Sequence, residues 1–147
     1  MKSKHCILLA AVVSGCTTSI PVNLYPEKGP LARQNPTPVV VATAHNVISD
    51  SGPFEVVLPG DVECKGNWSS IAPKAVSTSW GTLFSLAGSG TAASTTASIV
   101  PGVNPGQFYA ICSDNRKIEG EFVTGSGTAS GKGAAKDSHG NVYRMIF

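Results

Sequence analysis

Charge is scarce in this chain and evenly split. Of 147 residues only 14% are Asp, Glu, Lys or Arg, and the formal net charge is +2. Two of the lysines, Lys2 and Lys4, stand ahead of an apolar run that reads as a removable leader; without them basic and acidic side chains balance. That balance excludes the basic face through which nucleic acid is held, and the polybasic patch of a charge-steered membrane protein. Apolar runs are short as well: Cys6–Val13 (CILLAAVV) falls far below the roughly 20 residues of a membrane-spanning helix. Cysteine occurs four times and never as C-x-x-C, which removes the dithiol redox motif. His45 and His139 have no ligand partner at metal spacing, so neither a metal site nor a cofactor is expected. After Pro38 no 3.6-residue periodicity of helix length is present, which excludes a helical domain. The length leaves room for one domain plus tails.

What is present begins with an address. Met1–His5 is a short positive region, Cys6–Val13 is its apolar continuation, and together they read as a secretory signal. The run ends in Val13-Ser14-Gly15-Cys16. This quartet resembles the lipobox of bacterial lipoproteins: a branched apolar residue, two small ones, then Cys. The resemblance implies cleavage before Cys16 and acylation of its thiol, with residues 1–15 as signal peptide. Small residues let the backbone enter a peptidase, and a thiol is the best nucleophile on offer. Two or three acyl chains, at about 0.8 kcal/mol per buried methylene, anchor far more firmly than one. Thr17 after the Cys, by similarity to the class, implies the outer membrane.

With Cys6 lost and Cys16 acylated, Cys64 and Cys112 remain, and an exported protein meets an oxidising compartment. They are the expected disulfide. Residues 16–38 hold five of the ten prolines and no apolar periodicity, and read as a lipidated Cys followed by a Pro-rich tether. The patch Ile20–Tyr25 within it is alternatively a docking segment, on a partner or on the domain itself.

Residues 39–147 read as the domain, in short β-branched and aromatic runs cut by Gly, Pro, Asn and Asp. Val39–Thr43 opens it. Phe54–Leu58, Pro59-Gly60 and Asp61–Cys64 form a hairpin, Pro presetting the first turn angle and Gly supplying the second. Trp80–Leu86 is a further strand. Gln107–Cys112 and Lys117–Val123 flank the polar turn Ser113–Arg116, with Ile118, Gly120 and Phe122 on one face and Glu119 and Glu121 on the other. Gly127–Lys136 and Asn141–Phe147 flank Asp137–Gly140. Six to eight strands with one bridge predict an all-β fold, a small antiparallel barrel or sandwich.

Several constellations imitate catalytic motifs. Gly125–Gly133 resembles a phosphate loop, but Ser126 stands where Gly is required and Gly133 where the magnesium-binding hydroxyl belongs. Asp137-Ser138-His139 holds the residue types of a triad, yet adjacent residues do not converge as a triad must, and the trio reads as a hairpin turn. Asp61 with Glu63, and Glu119 with Glu121, put two carboxylates on one strand face; alternating acids there mark a solvated face rather than a glycosidase pair. Trp68 and Trp80 are candidates for stacking on a sugar or anchoring a partner, or else plugs for the ends of a barrel.

The lipobox, the segments Asn23–Pro26 and Gly29–Ala32, Glu63–Ser69 and the closing Asp137–Phe147 together resemble small Gram-negative envelope lipoproteins. That resemblance implies a non-enzymatic domain, lipid-anchored to the outer membrane and facing the periplasm, that binds or supports an envelope protein or peptidoglycan. An alternative is a small-ligand module, or one similar to membrane-bound lysozyme inhibitors with Ala129-Ser130-Gly131-Lys132 as inserting loop. Ser130 and Lys132 are then binding candidates beside Trp68 and Trp80.

Overall fold

The computed structural model describes residues 18–70 and 102–147. They close into a barrel of antiparallel strands in which each strand pairs with its sequence neighbours and the last pairs with the first. In chain order these are β1 (Ser19–Lys28), β2 (Val40–His45), β3 (Ser51–Leu58), β4 (Val62–Ser70), β5 (Val103–Cys112), β6 (Lys117–Gly125), β7 (Gly131–Asp137) and β8 (Val142–Ile146). One 3₁₀ turn, Leu31–Arg33, lies between β1 and β2. The fold is thus all-β and a barrel rather than a sandwich. The expected strand Trp80–Leu86 lies outside the described residues.

Side chains alternate between the barrel interior and solvent, the two-residue period of a strand. On β3, Phe54, Val56 and Leu58 are buried while Glu55 and Val57 are exposed. On β6, Ile118, Gly120 and Phe122 face inward and Glu119 outward, where its carboxylate pairs with Lys136 of β7 at 3.0 Å. Glycine makes the interior fit at two points. Phe108 lies opposite Gly120 and Gly106 opposite Phe122 across the β5–β6 ladder, and a Cβ on either glycine would overlap the facing ring. The rings are thereby drawn close to the barrel wall, and Phe108 stacks on Phe54 with centroids 4.3 Å apart. Cys64 and Cys112 are direct cross-strand partners on β4 and β5, both buried, and they form the expected disulfide.

Two expectations require correction. Residues 19–38 are not a tether: Ser19–Lys28 is β1, bonded to β2 on one side and β8 on the other, and Val22 and Leu24 are buried in the core. The barrel therefore begins some twenty residues before Val39. The prolines that argued against a strand are accommodated by stagger. Pro21 falls where β1 pairs only with β2, and Pro26 where it pairs only with β8. Pro53 of β3 and, among the described residues, Pro105 of β5 likewise stand where only one neighbour remains. Backbone donors alternate sides along a strand, and at all four positions the ring nitrogen faces the side without a partner. The second correction concerns Asp61. It lies in the β3–β4 turn with φ +58°, beside Gly60 at +87°, so it does not share a strand face with Glu63.

One end of the barrel is closed. There the β1–β2 connection and three tight turns converge, and Leu31 is buried with its amide donating to Asn141 Oδ1 at 2.8 Å. Asp137 sits beneath it with a side chain wholly out of solvent. Its Oδ1 accepts the backbone N–H groups of His139 (2.9 Å) and Asn141 (3.0 Å). Its Oδ2 accepts Asn141 Nδ2 (2.8 Å) and the Tyr143 hydroxyl (2.7 Å), with Arg116 Nη1 at 3.7 Å. Four donors saturate the carboxylate and make the burial of a charge tolerable. Burial, reinforced by the bond to Asp137, pushes the Tyr143 hydroxyl far above its ordinary pKa.

Candidate functional site

Among the described residues the opposite end is open. β1, β3, β5 and β7 start there and β2, β4, β6 and β8 finish there, and the described side chains that reach it do not fill it. A cavity of about 560 Å³ enters the barrel from this rim. Its walls are Ile20 and Val22 of β1, Ala44 of β2, Phe54 of β3, Trp68 of β4, Phe122 of β6, and Met145 of β8 with the following Phe147. The aromatic walls brace one another: Trp68 and Phe122 have centroids 6.4 Å apart, and Phe147 meets Phe122 edge-on at 5.7 Å. The rim is polar and almost uncharged, with Thr18, Ser49, Ser70, Asn104, Thr124 and Thr128, and Asp50 is the only ionisable side chain among the described lining residues.

The indole of Trp68 is held by two constraints. Its residue faces inward by strand alternation, and its Nε1–H donates to the His45 carbonyl at 2.8 Å, so the ring edge is satisfied while the face is left to the cavity. Gly52 permits this approach, since a Cβ there would press on the His45 carbonyl and crowd the indole nitrogen. His45 is itself engaged: Nδ1 lies 2.8 Å from Ser19 Oγ and Nε2 3.4 Å from Glu55 Oε2.

No protein-family model, no curated protein and no solved structure matches the chain.

The structure separates the sequence-derived site residues. Trp68 is both buried plug and cavity wall, combining the two readings given to it. Ser130 and Lys132 do not join it. Both are exposed at the β6–β7 tip, on the outer side of the rim, where the Ser130 carbonyl accepts the Gly125 amide at 3.2 Å. Cys16 and Trp80 lie outside the described residues. Cys64 and Cys112 are enclosed as the disulfide. Asp137, Ser138 and His139 are a turn: Asp137 points into the barrel, the Ser138 hydroxyl accepts the Lys117 amide at 3.1 Å, and His139 is exposed. A second concavity, of about 740 Å³, lies on the outer face of β3 to β7 around Asn67, Tyr109 and the Glu119–Lys136 pair. It is the larger of the two, and its walls mix Pro53, Trp68, Phe108 and Tyr109 with the ionisable Glu119, Glu121 and Lys136, whereas the barrel cavity has Asp50 alone among its described lining residues.

The walls Ile20, Val22, Phe54, Phe122 and Met145 were not legible as site residues. Ile20 and Val22 fall in the segment read as a tether, and Phe54, Phe122 and Met145 lie in apolar strand positions, which read as core; whether such a position faces packed neighbours or empty space depends on how the barrel ends, not on the strand's own pattern.

Proposed function

We propose that this chain is a non-catalytic binding module of the cell envelope, anchored through acylated Cys16, and that its barrel takes one small, largely apolar ligand through the open rim. One observation carries the reading: an eight-stranded barrel is at the size where side chains either fill the interior or leave space for one small molecule, and here the described residues leave the rim half open with aromatic walls. Its volume of about 560 Å³ lies within the roughly 300–1,000 Å³ of small-molecule sites, as does its balance of apolar walls with a few polar groups. The buried disulfide suits an oxidising compartment and thus the exported address read from residues 1–16.

The test is a titration of the purified protein with the neutral fluorophore N-phenyl-1-naphthylamine, followed by its emission and by energy transfer from tryptophan. Saturable one-to-one binding is expected. Ala44→Phe, which projects a ring into the cavity, weakens it at least about tenfold, or about 1.4 kcal/mol. Unsaturable binding, or binding indifferent to this substitution, overturns the proposal. The exposure of Ser130 and Lys132 at a protruding tip favours a second reading, similar to the membrane-bound lysozyme inhibitors: there, lysozyme activity falls on adding the protein and returns with Lys132→Ala.

A further inference from the structure

The described chain starts at the open rim. The Thr18 carbonyl accepts the Val47 amide at 3.2 Å, and Ser19 opens β1 opposite His45. Cys16 precedes Thr18 by two residues, and two extended residues span roughly 7 Å at most. Because β1 takes up the segment that would have served as a tether, Cys16, if acylated as proposed above, would hold its lipid close to the cavity mouth, where Thr18 stands.

The two ends of the barrel differ in a way that suits this placement. At the closed end Asp61, Asp114, Lys117 and His139 are exposed. At the open end the β2–β3 connection carries Ile48, which is 81% exposed and is the most exposed large apolar side chain of the described residues. Half-buried Val47 lies beside it, and Asp50 is the only charge lining the mouth among the described residues. Lys132 stands on the outer side of the same rim, where an ammonium on a long apolar stem reaches phosphate while its methylenes stay with acyl chains. An aliphatic tip with an uncharged mouth loses little on leaving water, whereas the charged end would lose its hydration.

We propose that the open rim is the face this barrel presents to a phospholipid bilayer, with Ile48 seated among the acyl chains and the cavity opening directly onto lipid. The proposal rests on the acylation of Cys16 put forward above. It deepens the binding reading by naming the ligand class, an acyl chain taken from the adjoining membrane, and it requires no diffusion of an apolar molecule through water.

The experiment uses the full mature protein extracted from membranes. With Cys16 acylated and Cys64 bonded to Cys112, an introduced cysteine is the one free thiol. Ser49→Cys, beside Ile48, and His139→Cys, at the closed end, are each labelled with an environment-sensitive fluorophore. The proteins are then reconstituted into phosphatidylcholine vesicles with and without chains brominated near the carboxyl end. Expected is a mature mass carrying diacylglycerol and quenching several times greater at position 49 than at 139. A lipidated protein with equal quenching at the two positions, or more at 139, overturns the orientation while leaving the anchor standing. A mature mass without lipid overturns the anchor and the orientation with it.

Discussion

Replacing Asp137 by Ala removes the acceptor on which the closed end is built. Four donors lose their partner at once: the amides of His139 and Asn141, Asn141 Nδ2 and the Tyr143 hydroxyl. Bonds to an ionised acceptor contribute about 1.5–3 kcal/mol each, but the four share one group and do not add. The better measure is the cost of removing one partner from a buried charged cluster, about 3–5 kcal/mol, since Arg116 loses its contact with Asp137 and the fully buried Tyr143 hydroxyl is left without an acceptor. A loss of about 4 kcal/mol is a large part of the 5–15 kcal/mol that holds a domain of this size. With a urea slope near 2 kcal/mol/M, the midpoint falls by about 2 M. The assay is equilibrium urea unfolding followed by tryptophan emission, with Asp137→Asn alongside. Asparagine keeps Oδ1 for the two turn amides and places an NH₂ against the Tyr143 hydroxyl and Asn141, so it falls between wild type and Ala. A loss below about 1 kcal/mol for Asp137→Ala, or equal losses for the two variants, would refute the claim that this carboxylate organises the end of the barrel.

Two other buried groups give measurable outcomes. The Cys64–Cys112 bridge closes a separation of 48 residues, and on the chain-entropy model its removal costs about 4 kcal/mol; Cys64→Ala with Cys112→Ala therefore lowers the urea midpoint and steepens the slope as the unfolded chain expands. Tyr143 has its folded pKa raised above that of an unfolded tyrosine, near 10, so its contribution is complete below pH 10 and declines as pH rises beyond it, by up to about 1.4 kcal/mol per unit. Unfolding free energies between about pH 9 and 11.5 show this decline, and Tyr143→Phe removes one proton's worth of the slope; an unchanged slope in that variant rejects the assignment.

The fold was legible where local chemistry and long-range pairing agree. Lys117–Val123 alternates because one face meets the interior, and Ser113–Arg116 turns because Asp114 accepts the Arg116 amide at 3.0 Å, so both elements are written in adjacent residues. The bridge was legible because only two cysteines remained to form it. β1 was not, because a proline counts against a strand only when that strand has a neighbour on the side the nitrogen faces, and which side is free is a property of the closed barrel. For the candidate site, Trp68 stood out by its size. The cavity did not, since empty space has no residue of its own: among the described residues it arises where the barrel runs past its packed core at one end, while the other is capped through Leu31 and Asn141.

The four strand prolines also bear on how the barrel finds its register. A slip of two residues between neighbouring strands keeps every side chain on its proper face, so the alternation of apolar and polar residues does not oppose it. A proline does. Sliding β8 along β1 until a rung reaches Pro21, or β2 along β3 until one reaches Pro53, sets a ring without a hydrogen against a carbonyl that requires one. The same holds for β2 at Pro26 and β4 at Pro105. Each proline thus acts as an end stop on one seam, and among the described residues four of the eight seams carry such a stop. The residues that made the sequence look least like a sheet are the ones that tell its strands where to halt.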